Sequence, residues 1–345
     1  MNDKPIYIIF GASGDLAKRY LLPAVKNLQE AGDVDTLVPV SRKDYGNLKN
    51  LIKENGEDKI FHLAIPPEAV SDAVKIISEN FGKEDIKIML EKPFGNDLKS
   101  AQSLIQHIDK YFSEEQIYRV DHYLAKESLQ KVVMEKWDRN DISGIEITAI
   151  EKIDIEGRIN FYEQTGALKD FVQSHLIEMV SVVLAGSFDI SRREEALRNL
   201  RIICDVSKHE CVKRGQYEGY REEVGNKDSM TETFVSINLA SGEPAWRGVP
   251  IVLSTGKAFD KKLTQIKIKY KNSEEKIFEI EHEPKAYERV IKATIRGEHD
   301  LFVSSGEVLE SWRILEAIQR TWEQKKNDLL IYKKGSTVDE VLNIK

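Results

Sequence analysis

The first 120 residues carry a rhythm that restricts the fold more than any other feature. Short apolar runs, PIYIIF (5–10), TLVPV (36–40), KIFHLAI (59–65), IKIML (86–90) and QIYRV (116–120), alternate with stretches of helical period. GASGDLAKRYLLPAVKNLQEAG follows the first run as a turn and an amphipathic helix, with Gly32 placed to close it. Pro66 and Pro67 break the chain after the third run, and Ala69, Ala73, Ile76 and Ile77 then form one stripe of a helix. Strands that alternate with helices specify βαβ units on a parallel sheet.

The pattern changes near residue 130. GIEITAIEKI (144–153), TETFVSINLA (231–240), LTQIKIKY (263–270) and EKIFEIEHE (275–283) alternate apolar with polar residues, as an antiparallel sheet with one buried face requires. Helices are expected at 166–185 and 305–324. The length of 345 residues suits two cores. The expectation is an α/β Rossmann-type domain over 1–130 and an α+β domain with a large antiparallel sheet over 131–345. No internal repeat or low-complexity segment interrupts this plan.

With 51 Lys and Arg against 58 Asp and Glu, the net charge of −7 argues against a general nucleic-acid binder. Cys204 and Cys211 match no zinc or redox spacing and are expected as two free thiols in a reducing cytosol. MNDKPIYIIF lacks the basic and apolar regions of a signal peptide. The most apolar run, Met179 to Gly186, is too short to span a bilayer. No membrane partner is expected, and the expected location is the cytoplasm.

Gly11, Ser13, Gly14 and Asp15 lie between the first strand and the first helix. Glycines let a backbone approach a pyrophosphate, and the helix start offers N–H groups and a positive dipole end. The spacing is G-x-x-G, which an ordinary βα turn can share; its place after the first strand favours a dinucleotide. The second strand runs into Ser41-Arg42-Lys43 rather than the acidic residue that usually holds an NAD ribose. Cations there suit the 2′-phosphate of NADP, with NAD as the weaker alternative.

GASGDLAKRYLLPA resembles the N-terminal fingerprint of the glucose-6-phosphate dehydrogenase family. The resemblance continues in order through LAIPP (63–67), EKPFGNDL (91–98), YRVDHYLAKE (118–127) and EGR (156–158). It extends through LKDFVQSHLIEMV (168–180), WRGVPIVLSTGKA (246–258), AYERVI (286–291) and SWRILEAI (311–318). The family joins a Rossmann-type domain to an antiparallel β+α domain. Membership implies oxidation of glucose 6-phosphate at C1 to 6-phosphogluconolactone with hydride transfer to NADP, no metal, and a homodimer formed through the large sheet. Three departures stand out. Residues 43–62 are short where the family has additional helices, the chain after TWEQ is brief, and Ala125 replaces a family glycine. They leave open another hexose or amino-sugar 6-phosphate, or a non-catalytic regulator that binds sugar phosphate and NADP.

Such a reaction needs a base for the hydroxyl proton and an anchor for the rest of the sugar. His175 is the candidate base; a core histidine on a helix would show the same spacing around Val172 and Met179. The match of DFVQSH to the family's catalytic segment implies the base, and Asp121 as its orienting carboxylate, although an Asp after a strand also serves as a helix cap. The resemblance further implies that His122, Tyr123 and Lys126 bind the substrate phosphate at a helix start. Lys257 and Lys262 resemble cations that close the pocket, Lys262 in place of the usual Arg. Glu151 and Asp170 resemble acceptors for sugar hydroxyls. At five residues apart, Asp170 and His175 would be roughly 140° around an α-helix. Lys92 resembles the lysine that touches both cofactor and sugar, and Pro93 is a candidate cis proline. Gly11, Ser13, Gly14, Asp15, Leu16, Arg42 and Lys92 make up the expected cofactor site.

Overall fold

The expected parallel strands form at Ile6–Phe10 (β1), Thr36–Val40 (β2), Lys59–Leu63 (β3), Ile86–Glu91 (β4) and Ile117–Val120 (β5) in a computed structural model. It describes residues 4–52, 58–135, 137–204, 206, 211–324 and 328–344. The chain divides into two compact units, Met1–Lys126 with His282–Leu309, and Glu127–Glu281 with Glu310–Lys345. Residues 282–309, counted with the second domain from sequence, belong to the first unit. There they add the helix Ala286–Arg296 and the short strand Phe302–Val303.

In the first unit the sheet order is Phe302–Val303, β5, β4, β3, β1, β2, parallel except for the first pair. Ile8 stands between Val38 and Phe61. Connections reverse direction between β1 and β3, and an open α/β sheet binds ligands at the carboxyl end of such a switch point. Relative to the six-strand Rossmann order, no strand lies beyond β2 among the described residues. Between β2 and β3 the described residues hold only the turns Arg42–Asn47 and Leu48–Leu51, too little for a crossover helix and another strand; residues 53–57 of this shortened stretch lie outside the description. β2 therefore forms the edge, where Pro39 is tolerated.

One sheet face, including Tyr7, Ile9, Met89 and Val120, packs on Val25 and Leu28 of the first helix and on Val290 and Ile291 of the returning helix. Each such side chain contributes about 1.5–3 kcal/mol when fully buried. The first helix starts as a π-bonded turn, Ala17–Leu21, and continues as an α-helix, Leu22–Glu30. Pro23 has no N–H to return to the carbonyl four residues back, and the wider turn precedes it. Gly32, at φ +80°, ends the helix as expected.

In the second unit Ile142–Ile150 (β6), Leu200–Ile202 (β7), Val212–Tyr217 (β8), Phe234–Ser241 (β9), Ile251–Gly256 (β10), Leu263–Tyr270 (β11) and Glu275–Glu279 (β12) build a large sheet. Its order is β12-β11-β6-β10-β9-β8 followed by Leu329–Tyr332, with β7 beside β9. The expected antiparallel pairing is joined by two parallel pairs, β10 with β6 and Leu329–Tyr332 with β8, so the sheet is mixed. Ile145 and Ile147 are buried, while Glu146 between them pairs with Lys269 on β11. Ile150, Tyr162, Phe234, Phe259 and Tyr332 belong to a second core cluster.

The helix expected at 166–185 is three pieces. Ile159–Ala167 ends at a break, Gly166 (φ 60°, ψ 179°); Leu168–Leu176 is π-bonded; Ile177–Ala185 is α-helical and ends at Gly186. An i→i+5 ladder winds more slowly than an α-helix, so residues five apart come closer to one face. The expectation that Asp170 and His175 lie 140° apart is thereby corrected.

The expectation of two free thiols is also overturned, because Cys204 and Cys211 form a disulfide. Their Cα atoms lie 6.1 Å apart, within disulfide reach. Among the described residues no single helix is long and apolar enough to cross a membrane. Met179 to Leu184 is instead buried core.

Candidate active site

In the first unit the turn after β1 is built for close approach. Gly11 has φ +79°, its N–H donates to the Val40 carbonyl at 3.0 Å, and a Cβ there would meet the Ala64 carbonyl oxygen at 2.2 Å. The Gly14 N–H closes the turn on the Gly11 carbonyl at 2.9 Å. Gly11 and Ser13 line a cleft of about 740 Å³ at the switch point, together with Ser41, Arg42 and Tyr45 from the β2 end. Arg42 is exposed, and the Tyr45 ring packs tilted against Phe10 with centroids 5.1 Å apart. Gly14, Asp15 and Leu16 lie beside this cleft in sequence but do not line it. Asp15 is exposed and paired with Arg19 at 2.8 Å.

β4 delivers Lys92 into a cis peptide bond with Pro93. Just before it a buried network forms that sequence reasoning missed. Glu91 Oε1 lies 2.7 Å from His62 Nε2, and His62 Nδ1 lies 2.6 Å from the Tyr7 hydroxyl. A hydrogen bond donated by His62 Nε2 to the Glu91 carboxylate leaves Nδ1 to accept from the Tyr7 hydroxyl. The Tyr287 hydroxyl also donates to Glu91, at 3.4 Å. Lone polar residues in apolar runs gave no sign of this pairing across 29 and 55 positions.

Asp121 follows β5 and is buried; its Oδ1 accepts the Tyr123 N–H at 2.9 Å. His122, Tyr123 and Lys126 sit in this turn, and the next helix opens only at Glu127, so the expected helix start is a turn. Lys126 is buried with its Nζ 3.6 Å from the centre of the Tyr123 ring. Burial pushes the Asp121 carboxyl above the usual carboxylate range, while the charges of His122, Lys92 and Lys126 and the Tyr123 N–H pull it back. The two lysines and the carboxylate thus belong to one electrostatic cluster. Tyr287 of the returning helix stacks on the His122 ring at 6.2 Å, and Arg289 donates to the Ala125 carbonyl at 2.7 Å. Ala125 is buried and has no positive φ, so this turn accepts a methyl group without strain.

In the second unit Lys257 is buried and paired with Glu151. The Lys257 carbonyl accepts from the Tyr332 hydroxyl at 2.8 Å, and its Nζ lies 5.5 Å from the centre of the Tyr162 ring. Burial, then the charge of Asp170, then the nearby Tyr332, Glu232 and Glu151 push the Tyr162 hydroxyl far above its usual range. Tyr162 therefore joins Glu151, Lys257 and Asp170 in one group. Lys262 is exposed at the edge of β11, away from burial.

His175 is buried on the π-bonded segment, against the Phe171 ring at 4.9 Å. Where that segment begins, buried Glu232 accepts the Leu168 N–H at 2.9 Å and its carboxylate fills the space a Gly166 Cβ would need. Burial raises the Glu232 carboxyl, with the Leu168 N–H the largest opposing effect. His175 belongs to one unit and Asp121 to the other, so their pairing is carried forward as a proposal.

Residues 37–131 match the family model for the glucose-6-phosphate dehydrogenase NAD-binding domain, and 129–284 with 279–342 match that for its C-terminal domain. The chain is 31% identical to cytoplasmic glucose-6-phosphate 1-dehydrogenase 5 of Arabidopsis thaliana, over 82% of this chain and 68% of the relative. It is 26% identical to glucose-6-phosphate 1-dehydrogenase of Dickeya dadantii, over 95% of this chain and 93% of the relative. That alignment runs to 458 positions against a chain of 345 residues, so internal segments of the relative have no counterpart here. The crystal structure of the Mycobacterium avium glucose-6-phosphate 1-dehydrogenase superposes with a TM-score of 0.83 at 25% identity, over 97% of this chain and 95% of that one. With both domain models matched in order and the fold shared over nearly the whole chain, the protein belongs to the glucose-6-phosphate dehydrogenase family.

Proposed function

We propose that this chain is an NADP-using glucose-6-phosphate 1-dehydrogenase that acts at C1 and releases 6-phosphogluconolactone. The observation that carries this reading is the family match across both units, with His175, Asp121, Lys92 and Lys126 all present in the chain. The cleft at the β1/β3 switch point suits a dinucleotide, since Gly11 exposes backbone there and Arg42 stands at the β2 end. When bound, the nicotinamide accepts the hydride from C1.

In this mechanism His175 takes the C1 hydroxyl proton as the hydride leaves, so the sugar loses two electrons and two hydrogens and becomes the lactone. Asp121 holds the imidazole in its reactive tautomer and stabilises the positive charge it gains. Lys126, with His122 and Tyr123, binds the 6-phosphate. Lys257, held by Glu151, and Asp170 address the sugar hydroxyls. The exposure of Lys262 makes it an outer contributor at most. A homodimer and a cytoplasmic location accompany this reading; one relative is named as cytoplasmic.

The test is reduction of NADP by the purified protein, followed by nicotinamide absorbance across a panel of sugar phosphates. Glucose 6-phosphate is expected to give the highest kcat/KM. A better hexose or amino-sugar 6-phosphate would reassign the substrate. Binding of both ligands without reduction would make the protein a regulator.

A further inference from the structure

The β2 end carries an acid that the linear motif Ser41-Arg42-Lys43 conceals. A short 3₁₀ helix, Arg42–Asn47, folds Asp44 back onto the end of the strand. Its Oδ2 accepts the Ser41 N–H at 2.9 Å and the Ser41 hydroxyl at 2.5 Å. Ser41 and Arg42 both line the cleft that faces the phosphate turn. Dinucleotide-binding sheets that take NAD keep a carboxylate at this strand end for the ribose 2′-hydroxyl, and those that take NADP keep an arginine for the 2′-phosphate. This chain has both.

We propose that Asp44 sets the balance between NAD and NADP, by holding the Ser41 donors and a negative charge at the place where a 2′-phosphate would sit. The inference rests on the dinucleotide reading of the cleft. Asp44 is bound to Ser41 and does not itself line the cleft; with NAD, the ribose 2′-hydroxyl meets Ser41 and Arg42 and carries no charge for Asp44 to repel. With NADP, Arg42 attracts the phosphate, but Ser41 can donate to it only after releasing Asp44, and two anions then share the strand end. The two Ser41 bonds also hold the Asp44 carboxyl below the usual carboxylate range, with Lys43 adding to the effect, so the acid is charged at neutral pH. The opposite wall supports the same direction: Glu68, Asp72 and Glu79 outnumber Lys75 there. The outcome is a chain that uses both cofactors, where the cations alone would make it strict for NADP.

The experiment measures NADPH and NADH binding by nicotinamide fluorescence in the full chain, for wild type, Asp44→Ala and Asp44→Asn. Wild type is expected to bind both within about tenfold of each other. Asp44→Ala should shift the ratio toward NADPH by about tenfold, which corresponds to about 1.4 kcal/mol. Asp44→Asn, which keeps an acceptor for Ser41 and removes the charge, should give most of that shift and covers the case in which Asp44→Ala fails to fold. An unchanged ratio in both variants would overturn the role of Asp44 and leave the dinucleotide cleft standing. Absence of binding of either nucleotide to wild type would overturn both readings. With turnover, the NADP to NAD ratio of kcat/KM should move in the same direction as the binding ratio; opposite movement also refutes the proposal.

Discussion

Replacing His62 by Phe removes the centre of a largely buried hydrogen-bonded chain. Among the described residues the Tyr7 hydroxyl would keep only its 3.2 Å contact with the Met89 sulfur, and Glu91 only the long bond from Tyr287. A buried hydroxyl without its partner costs about 1–3 kcal/mol, and a carboxylate that loses a donor costs more. The Glu91 side chain is 10% exposed, so water relieves part of its loss. The expected destabilisation is about 2–4 kcal/mol. Tyr7→Phe alone should cost about 1–2 kcal/mol, since His62 keeps Glu91. The double substitution removes both the orphaned hydroxyl and its former acceptor, so it should cost about 1–2 kcal/mol less than the sum of the two. Urea unfolding followed by circular dichroism, over the transition of the first unit, measures all three variants. Additivity within about 0.5 kcal/mol would show that the Tyr7–His62 bond carries no coupling and would refute this account.

His175→Asn should lower turnover about 10²–10⁴-fold while glucose 6-phosphate still binds; near-normal steady-state turnover would exclude His175 as the base. In the same assay Asp121→Asn should add little to the loss in a His175→Asn background, and full additivity would argue against a functional pair. Lys126→Ala should raise the KM for glucose 6-phosphate severely and change the poor use of free glucose little; an unchanged KM would move the phosphate anchor elsewhere. Glu232 provides the pH test. Its folded pKa is raised, so the folded state holds the proton more tightly than the unfolded chain, and stability is lost as pH rises from the ordinary carboxylate value through the folded one. Glu232→Gln keeps an acceptor for the Leu168 N–H and should therefore stabilise the fold at pH 7 but not below roughly pH 4, where both states are protonated. Equal stabilisation at both pH values, read from thermal unfolding, would refute burial of a charge as the cause.

Strands with a simple pattern were legible. β2 and β11 begin and end where their apolar runs do, because one face of each meets a core and turn residues flank both. β8 was not, because VKRGQY buries Arg214 and Gln216 inside the sheet and so shows no alternation. β10 reads as a motif ending in small polar residues, yet it is buried between β6 and β9. The same limit applied to the site. Gly11 and Lys92 could be located by their neighbours in the chain, whereas the Lys257–Glu151 pair spans 106 positions and its partners could only be named separately. The 3₁₀ turn that returns Asp44 to Ser41 is a matter of local conformation, and a string of charges does not specify it. π-bonding around His175 was equally hidden, since apolar spacing cannot separate a turn of four residues from one of five.

The return of residues 282–309 to the first unit has a consequence on the ribosome. Strands β1 to β5 are complete by residue 120, but the face bearing Tyr7, Ile9 and Met89 has only the first helix on it until Val290 and Ile291 have been made. At about 5–20 residues per second, the stretch from 127 to 309 takes roughly 10–40 s to translate. The nascent nucleotide-binding half must spend that interval with part of an apolar sheet face exposed. The second unit waits as well, since its sheet takes its last strand from Leu329–Tyr332. Neither unit is a continuous stretch of the gene, so a fragment cut at residue 130 would lack a wall of its own core. Such a fragment should aggregate where the full chain folds.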